Sequence, residues 1–244
     1  MTGDGRDAPI RRRIVGAAAL DAALDAGRPV RVVFVRRDGG APPPQAERAR
    51  LAGARVIVAA DGEIARLTGG GGTTDVLALD GPDPAATLDA AMRERGPAWL
   101  FVGLAFPGNI GLSIRTAEVS GAALAAIDPP LAGEPKRGAL RASIGADRFF
   151  PVFWTDAATV VAAARAAGRR VVALEACGDH APWAADLTGP ILLVAGGEHA
   201  GVPADVLAAA DAVVRLPSAG FVPSYNVQAA IAAVAAERMR QEST

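Results

Sequence analysis

Soft metal ligands are scarce in this chain of 244 residues. Cys177 is its only cysteine, and His180 and His199 are its only histidines. A single cysteine excludes an intramolecular disulfide and a thiolate metal cluster. We therefore expect no metal site, and we expect the reducing cytoplasm as the setting of the protein.

Long apolar runs and aromatic residues are also few. The longest apolar run, residues 227–236, is too short to cross a bilayer and is interrupted by Gln228. The first residues lack the apolar core of a signal peptide, so we expect no membrane partner. Aromatic residues make up 5% of the chain, which argues against extensive stacking on nucleic-acid bases.

Charge is nearly balanced, with a formal net charge of −1 at pH 7. A protein that binds nucleic acid by charge alone would be strongly basic. Basic residues are nevertheless concentrated at the front, where residues 1–68 contain twelve arginines and eight acidic residues. This region is either an electrostatic footprint for RNA or the product of a general use of arginine, since Lys136 is the only lysine.

The composition indicates a folded protein, with 51% hydrophobic and 21% charged residues. We assign residues 1–13 to a mobile tail, residues 14–80 to a small α/β domain, residues 81–97 to a linker and helix, and residues 98–244 to a larger α/β domain. In the larger domain, strands that alternate with helices predict a parallel sheet with helices on both faces.

Local sequence patterns predict where individual helices and strands begin and end. Residues 14–26 fit a helix that Gly27 closes, and the last helix is predicted to begin after Val227. A helix is also predicted over residues 114–120, a loop over 133–138 and a strand over 213–216.

Three glycine-containing loops share one character. They cover residues 106–118 with Asn109 and Arg115, residues 192–203 with Glu198, and residues 216–227 with Ser224 and Asn226. Each follows an apolar run typical of a strand and leads into a helical pattern. Because such turns lie at the carboxyl edge of an open α/β sheet, the three loops predict one composite site. For the third loop, simple capping of a helix by Ser224 or Asn226 is the alternative.

The order of these motifs resembles that of a known family. Asn-x-Gly-x-x-x-Arg-Thr-Ala is followed by Gly-x-Glu-x-x-Gly and then by Leu-Pro…Ser-x-Asn-Val. This trio, over residues 98–240, is similar to the motifs of the SpoU/TrmH group of SPOUT methyltransferases, and residues 141–146 resemble the R-x-S-x-G-A segment found after the first motif. The resemblance implies methyl transfer from S-adenosylmethionine to a ribose 2′-hydroxyl of RNA.

The resemblance also implies an architecture and a set of site residues. It implies a SPOUT-type sheet with a C-terminal trefoil knot, an L30e-like substrate-binding domain over residues 14–80, and a homodimer. The residues that it places in catalysis are Asn109, Arg115, Glu198, Ser224 and Asn226. Those that it places around the cofactor are Ala195, Gly196, Gly197, Gly201, Leu216, Pro217, Tyr225, Asn226 and Val227.

Chemistry constrains the roles of the charged residues. A guanidinium stays protonated at ordinary pH, so we expect Arg115 to grip the phosphate beside the acceptor ribose rather than to act as a base. A surface ion pair with Glu118 is the alternative. For Glu198 the alternative is a solvated carboxylate at a helix start. Histidine is a common general base in enzymes, but we interpret His199 as an exposed loop residue.

Two further clusters have open interpretations. Lys136, Arg137, Arg141 and Arg148 either follow an RNA backbone or form a solvated mixed surface. Phe149, Phe150, Phe153 and Trp154 belong to the core or to a dimer interface. The final helix, with Ile231 and Val234 on one side, suits a helix–helix contact between subunits.

The leading hypothesis is therefore an S-adenosylmethionine-dependent RNA 2′-O-ribose methyltransferase, with ribosomal RNA ahead of tRNA as substrate. Two alternatives remain open. One is a SPOUT-fold RNA-binding or assembly protein without catalysis, and the other is a methyltransferase for a small molecule or another non-RNA acceptor.

Overall fold

The computed structural model of this chain describes residues 11–69, 74–222 and 224–243. The chain divides into two compact units with a boundary between Asp83 and Pro84, and each unit contains its own sheet. Within the described ranges, no helix is both long enough and apolar enough to span a membrane.

The first unit is a small mixed α/β structure. Its sheet has the strand order β1-β4-β2-β3, in which β2 and β3 are parallel and the other pairs are antiparallel. Leu20, Val33 and Ala49 are fully buried between the sheet and its helices. Its elements, in chain order, are β1 Arg12–Val15, α1 Ala17–Asp25, β2 Val30–Arg36, α2 Pro44–Leu51, β3 Arg55–Ala59, α3 Asp61–Thr68 and β4 Val76–Asp80.

The start of this unit corrects two expectations from sequence. Ile14 belongs to β1, where it pairs with Ala78 of β4, so the helix predicted over residues 14–26 begins only at Ala17. Gly16, with φ 93°, separates strand from helix. The predicted mobile tail over residues 1–13 is wrong at its end, because Arg12 and Arg13 lie in β1; residues 1–10 lie outside the described residues.

The second unit contains the larger sheet. All strand pairs in it are parallel, and the strand order is β10-β8-β9-β5-β6-β7. Its elements are α4 Leu88–Met92, β5 Ala98–Val102, α5 Pro107–Val119, β6 Leu124–Asp128, α6 Gly133–Ala142, β7 Val152–Trp154, α7 Ala157–Ala166, β8 Arg170–Leu174, β9 Ile191–Gly196, α8 Ala204–Ala208, β10 Ala212–Val214 and α9 Val227–Glu242.

Helices cover both faces of this sheet, which confirms the predicted α/β class. One apolar cluster joins the sheet to α5, α6 and α9, and a second joins it to α4, α7 and α8. The strands are apolar throughout because both of their faces are buried: every residue of β5 is buried. Carboxyl ends of six parallel strands therefore meet at one edge of the sheet.

The second unit also corrects expectations. The predicted loop over residues 133–138 is the first part of α6, since Pro135 lies in the first turn, where proline is tolerated. Gly111 of α5 packs so closely on α6 that a Cβ would overlap the Ala139 carbonyl. Ile231 and Val234 are fully buried within the chain, so they are not available for the subunit contact predicted from the sequence.

The aromatic cluster between α6 and α7 belongs largely to the core. Phe150 is fully buried, and Phe149, Phe153 and Trp154 are partly buried against the apolar clusters. Phe153 and Trp154 lie in β7, the edge strand that pairs with β6. Of the two interpretations left open by the sequence, the structure supports the core.

A buried arginine joins several segments at the amino-terminal edge of the larger sheet, opposite the edge where the three motif loops lie. Arg169, only 3% exposed, donates to the carbonyls of Met92, Glu94, Gly96 and Ile191 at 2.6–3.2 Å. Burial, followed by repulsion from Arg238, lowers the pKa of the Arg169 guanidinium. The side chain thus satisfies four backbone acceptors, which lie at the end of α4, in the segment after it and at the start of β9.

Replacing Arg169 by methionine should destabilise the protein strongly. Methionine fills similar space but leaves the four carbonyls without a donor, so we expect a loss of about 3 kcal/mol or more in the free energy of unfolding. Urea denaturation would measure it. Arg165→Met is the matched control, because the exposed Arg165 pairs with Asp211 and should contribute about 1 kcal/mol or less. Equal losses in the two variants would contradict this account.

Candidate functional site

Two of the three sequence motifs lie side by side because their strands are neighbours. The first motif follows β5 and the second follows β9, and these strands pair from Ala98 with Leu192 to Val102 with Gly196. The third follows β10, which is separated from β9 by β8. All three loops therefore leave the carboxyl edge of one parallel sheet, where ligand sites of such sheets lie.

The first motif forms the start of α5. The helix begins at Pro107 rather than at residue 114, with proline at the position where its missing N–H leaves no donor unpaired. Asn109, predicted at a turn, is the third residue of this helix and is half-buried. Arg115 lies almost two turns further on and is exposed.

Glu198 of the second motif joins the first two motifs. Its Oε1 accepts a hydrogen bond from Asn109 Nδ2 at 2.5 Å, and its Oε2 accepts one from the Ala105 backbone N–H at 3.2 Å. One carboxylate therefore connects the loop after β9 to the loop after β5 and to the helix that follows. Glu198 is not at a helix start, since α8 begins only at Ala204.

Hydrogen bonds keep this carboxylate ionised. Partial burial acts to raise the pKa of Glu198, but the bonds from Asn109, from its own backbone N–H and from Ala105, together with nearby His199, outweigh burial and lower the pKa below 4.5. Glu198 is consequently a weak proton acceptor at neutral pH. His199 is exposed, as the sequence predicted.

Glycines permit the close approach of these backbones. A Cβ on Gly197 would overlap the carbonyl of Gly103, and a Cβ on Gly196 would overlap the backbone of Gly201 and Val202. The second motif therefore needs glycine for contacts within the chain, quite apart from any ligand.

The third motif is anchored at its end. Asn226 caps α9 by accepting the Gln228 N–H at 2.9 Å, which is the capping alternative raised by the sequence. Gln228 Nε2 in turn donates to Thr116 Oγ1 of α5 at 3.3 Å. Within the loop, the exposed Tyr225 donates its hydroxyl to the Pro217 carbonyl at 3.0 Å. The strand predicted over residues 213–216 ends at Val214.

Among the bonds between described residues, one directly joins two of the five residues predicted for catalysis. Asn109 and Glu198 are bonded to each other, and Asn226 starts the helix that contacts α5 through Gln228. Arg115 and Ser224 are exposed, and neither side chain bonds to any residue that the structure describes. The alternative of an Arg115–Glu118 ion pair is therefore not observed.

Other arginines near the first motif are paired. Arg137 and Arg141 of α6 both bond to Glu134, at 2.9 and 2.6 Å, while Lys136 lies over the ring of Trp154, 4.9 Å from its centre. Arg137, Arg141 and Glu134 thus form a surface of mixed charge, and contact of these basic residues with an RNA backbone stays a prediction. Among the described residues, no group of three His, Cys, Asp or Glu side chains could hold a metal ion.

Sequence reasoning missed one acidic residue at this edge. Glu175 directly follows β8, and its Oε2 accepts the Val202 N–H of the second motif at 2.7 Å. The signal was present, because an acidic residue directly after an apolar strand is the same pattern that singled out the other loops. It was missed because no motif contains it.

Comparison with known proteins identifies the family. A family model described as the SpoU rRNA Methylase family matches residues 99–236, more than half of the chain. The chain belongs to this family.

Named relatives in the SpoU family match part of the chain. The 23S rRNA (guanosine-2′-O-)-methyltransferase RlmB of Pseudomonas syringae pv. tomato is 34% identical over 163 residues, which are 65% of each chain. RlmB of Photobacterium profundum is 29% identical over 140 residues, 57% of each chain. The chain thus spans less than two thirds of the length of these curated relatives.

A solved SpoU structure matches over a longer range. The SpoU methyltransferase AviRb of Streptomyces viridochromogenes, in complex with the cofactor AdoMet, has a TM-score of 0.58 at 25% identity. The likeness covers 96% of this chain and 91% of that chain, so it includes the first unit as well as the second.

The Glu198 contacts predict a pH-dependent contribution to stability. Because the folded-state pKa is lowered from 4.5, ionised Glu198 stabilises the fold above the ordinary glutamate pKa, and this is lost as the pH falls through the folded-state value. The partial exposure of Glu198 limits its contribution to about 1 kcal/mol. Glu198→Gln should therefore lower the free energy of unfolding at pH 7, and the difference from the unaltered protein should shrink towards pH 3 in urea titrations. A difference that stays constant with pH would refute this.

Proposed function

We propose that the chain is an S-adenosylmethionine-dependent methyltransferase that acts on a ribose 2′-hydroxyl of RNA, with ribosomal RNA as the first substrate class and tRNA as the second. The observation that carries the proposal is the Asn109–Glu198 bond, which fixes the first two motifs against each other. The names of the RlmB relatives favour ribosomal RNA. An RNA substrate and the single cysteine favour action in the cytoplasm.

Arg115 is the residue to which we assign the action on the acceptor. Its exposed guanidinium has no partner among the described residues and is available for an RNA phosphate. A fixed positive charge beside the ribose lowers the pKa of the 2′-hydroxyl without taking its proton. Phosphate contact also holds the acceptor oxygen in line with the methyl donor, and such positioning is a large part of catalysis.

Asn109 and Glu198 organise the site rather than exchange protons. The lowered pKa of Glu198 makes it a poor base, and its carboxylate already accepts from Asn109 and Ala105. Ser224 and Asn226 complete the site from the third motif. Ser224, with its hydroxyl free of bonds to described residues, is a donor available to the substrate.

The residues assigned to the cofactor have the chemistry to hold it. Ala195 and Gly196 end the strand β9 and Gly197 follows it, with no side chain beyond a methyl group to obstruct a ligand. Leu216, Pro217, Tyr225 and Val227 would add apolar surface for an adenine, and Gly201 and Asn226 complete the set assigned to the cofactor. S-adenosylmethionine bound there would supply the electrophilic methyl group.

We further propose the finer architecture implied by the motifs. Residues 14–80 would form an L30e-like domain that binds RNA, joined through residues 81–97 to the methyltransferase domain of residues 98–244. The likeness to AviRb, which includes the first unit, supports this division.

A trefoil knot at the carboxyl end has support from backbone contacts around β10. The Val214 carbonyl accepts the Glu175 N–H, and the Arg215 N–H donates to the His180 carbonyl, each at 2.9 Å. Residues 175–180 therefore lie on both sides of the end of β10. Gly178 approaches Val214 so closely that a Cβ would leave contacts of 2.6 Å. A loop that surrounds the chain in this way is what a threaded C-terminus requires.

Arg115→Ala should abolish methyl transfer and spare cofactor binding. Loss of the phosphate contact and the charge should lower kcat about 100-fold or more, whereas the affinity for S-adenosylmethionine, measured by calorimetry, should stay within about twofold of that of the unaltered protein. Arg165→Ala is the matched control, since Arg165 is also exposed but lies on α7, on the opposite face of the sheet. Full activity of Arg115→Ala would remove this residue from the mechanism.

Ribose methylation in cells tests the substrate class. Deleting the gene should remove one or more 2′-O-methyl groups from ribosomal RNA, as mapped by mass spectrometry, and expression of the unaltered protein, but not of Arg115→Ala, should restore them. Loss of a tRNA mark would move the substrate to tRNA. Loss of methylation from a metabolite with intact RNA would support the non-RNA alternative, and no loss at all, with no heat of cofactor binding, would support a non-catalytic protein.

We also propose a homodimer that uses the exposed side of α9. Ile231 and Val234 are buried, so a subunit contact on α9 would use its other side. That side borders a groove of about 310 Å³, whose lining includes Trp183, Leu216, Ala233, Ala236 and Arg240. Trp183 is 59% exposed, which is unusual for a tryptophan outside an interface.

A charge in this groove should separate the subunits. Ala236→Glu places a carboxylate against apolar surface and should convert a dimer into monomers in sedimentation velocity. Ala158→Glu is the control, because Ala158 is also an exposed alanine but lies on α7. An unaltered protein that sediments as a monomer, or a variant that remains dimeric, would contradict this use of α9.

A further inference from the structure

The second motif is held from two sides by carboxylates, and one of them lies outside all three motifs. Glu198 extends from the loop towards the first motif. Glu175 reaches into the same loop from the end of β8 and accepts the Val202 N–H at 2.7 Å with Oε2. Its other oxygen, Oε1, accepts the Ala176 N–H at 2.8 Å. Both carboxylate oxygens are therefore engaged by backbone donors.

The backbone of Glu175 makes a second connection. Its N–H donates to the Val214 carbonyl at 2.9 Å, two residues before Leu216 in the third motif. One residue thus contacts both the loop that ends the second motif and the strand that delivers the third. The two segments that it joins contain Gly201 and Leu216, both assigned to the cofactor.

Glycine at position 201 fits this arrangement. Gly201 has φ +65°, and a Cβ there would overlap Glu175 Oε2. The backbone conformation at this position favours glycine, and a methyl group there would displace the carboxylate from its present place. The Gly201 N–H closes the loop on the Gly197 carbonyl at 3.0 Å, so the Glu175 carboxylate lies against a loop that is already folded on itself.

We propose that Glu175 is a positioning residue for the cofactor, which fixes the distance between the second and third motifs before S-adenosylmethionine binds. This inference rests on the proposed function. Glu175 acts through Val202 and Val214, not by touching the methyl group or the acceptor. Preformed loops bind a ligand without first having to be ordered, so loss of Glu175 should weaken cofactor binding far more than it slows the transfer step.

Calorimetry with S-adenosylmethionine on the full chain tests the proposal. For Glu175→Ala we expect the Kd for S-adenosylmethionine to rise about tenfold or more, with kcat at saturating cofactor within about twofold of that of the unaltered protein. Glu175→Gln keeps one acceptor oxygen and should recover part of the affinity. Asp156→Ala is the control, since Asp156 also accepts a backbone N–H, from Thr159 at 2.8 Å, but at α7, and its loss should leave the Kd unchanged.

A double-mutant cycle with Gly201 separates positioning from general destabilisation. Gly201→Ala should weaken cofactor binding partly by displacing the Glu175 carboxylate, so its effect should be smaller when Glu175 is already alanine. Additive effects of Gly201→Ala and Glu175→Ala on the Kd would overturn the inference. So would a Glu175→Ala variant that binds like the unaltered protein. If the unaltered protein itself binds no S-adenosylmethionine, the proposed function fails first and this inference falls with it.

Discussion

The site depends on one close backbone contact, between Gly197 after β9 and the carbonyl of Gly103 after β5. Parallel strands bring these two loops to the same edge, but a side chain at position 197 would force them apart. Only with the loops in contact can Glu198 reach both Ala105 and Asn109. The polar geometry of the site is thus a consequence of a steric condition, and an alanine at position 197 would disturb it without removing any polar group.

Among the described arginines of the second unit, Arg93, Arg115 and Arg215 are exposed and make no side-chain bond, and of these three Arg115 lies on the helix of the first motif. Arg137 and Arg141 share Glu134, Arg165 pairs with Asp211, and Arg169 is saturated by backbone carbonyls. Arg115 is exposed and bonds to no described residue. In a chain with a net charge of −1, an exposed cation without an internal partner is where an anionic substrate gains most. Under the proposed function, affinity for RNA would come from few positions rather than from a broadly basic surface.

The sequence predicted the features that depend on local patterns or on the motifs. It did not predict the features that depend on contacts between residues far apart in the chain. The meeting of Asn109 with Glu198 follows from strand ends and motif order. Residues 12–15 form a strand because β4, more than sixty positions later, pairs with them, and no local pattern carries that information. Helix α6 begins in a glycine- and proline-containing segment because packing against Gly111 and the bonds of Glu134 outweigh weak local preference. Glu175 had a local signal, yet its partner Val202 could be known only from the fold.

Loops at the edge of a parallel sheet contain backbone N–H groups without the regular hydrogen-bond partners that strands and helices provide, and these groups need other acceptors. Carboxylates provide two of these partners around the second motif: Glu198 accepts the Ala105 N–H of the loop after β5, and Glu175 accepts the Val202 N–H of the second motif itself. A carboxylate accepts several donors at once and binds them more strongly than a neutral oxygen does. Apolar burial could hold the same loop only by covering it, which would close the surface to a ligand. Anchoring by carboxylates at its two ends fixes the backbone and leaves the face between them open.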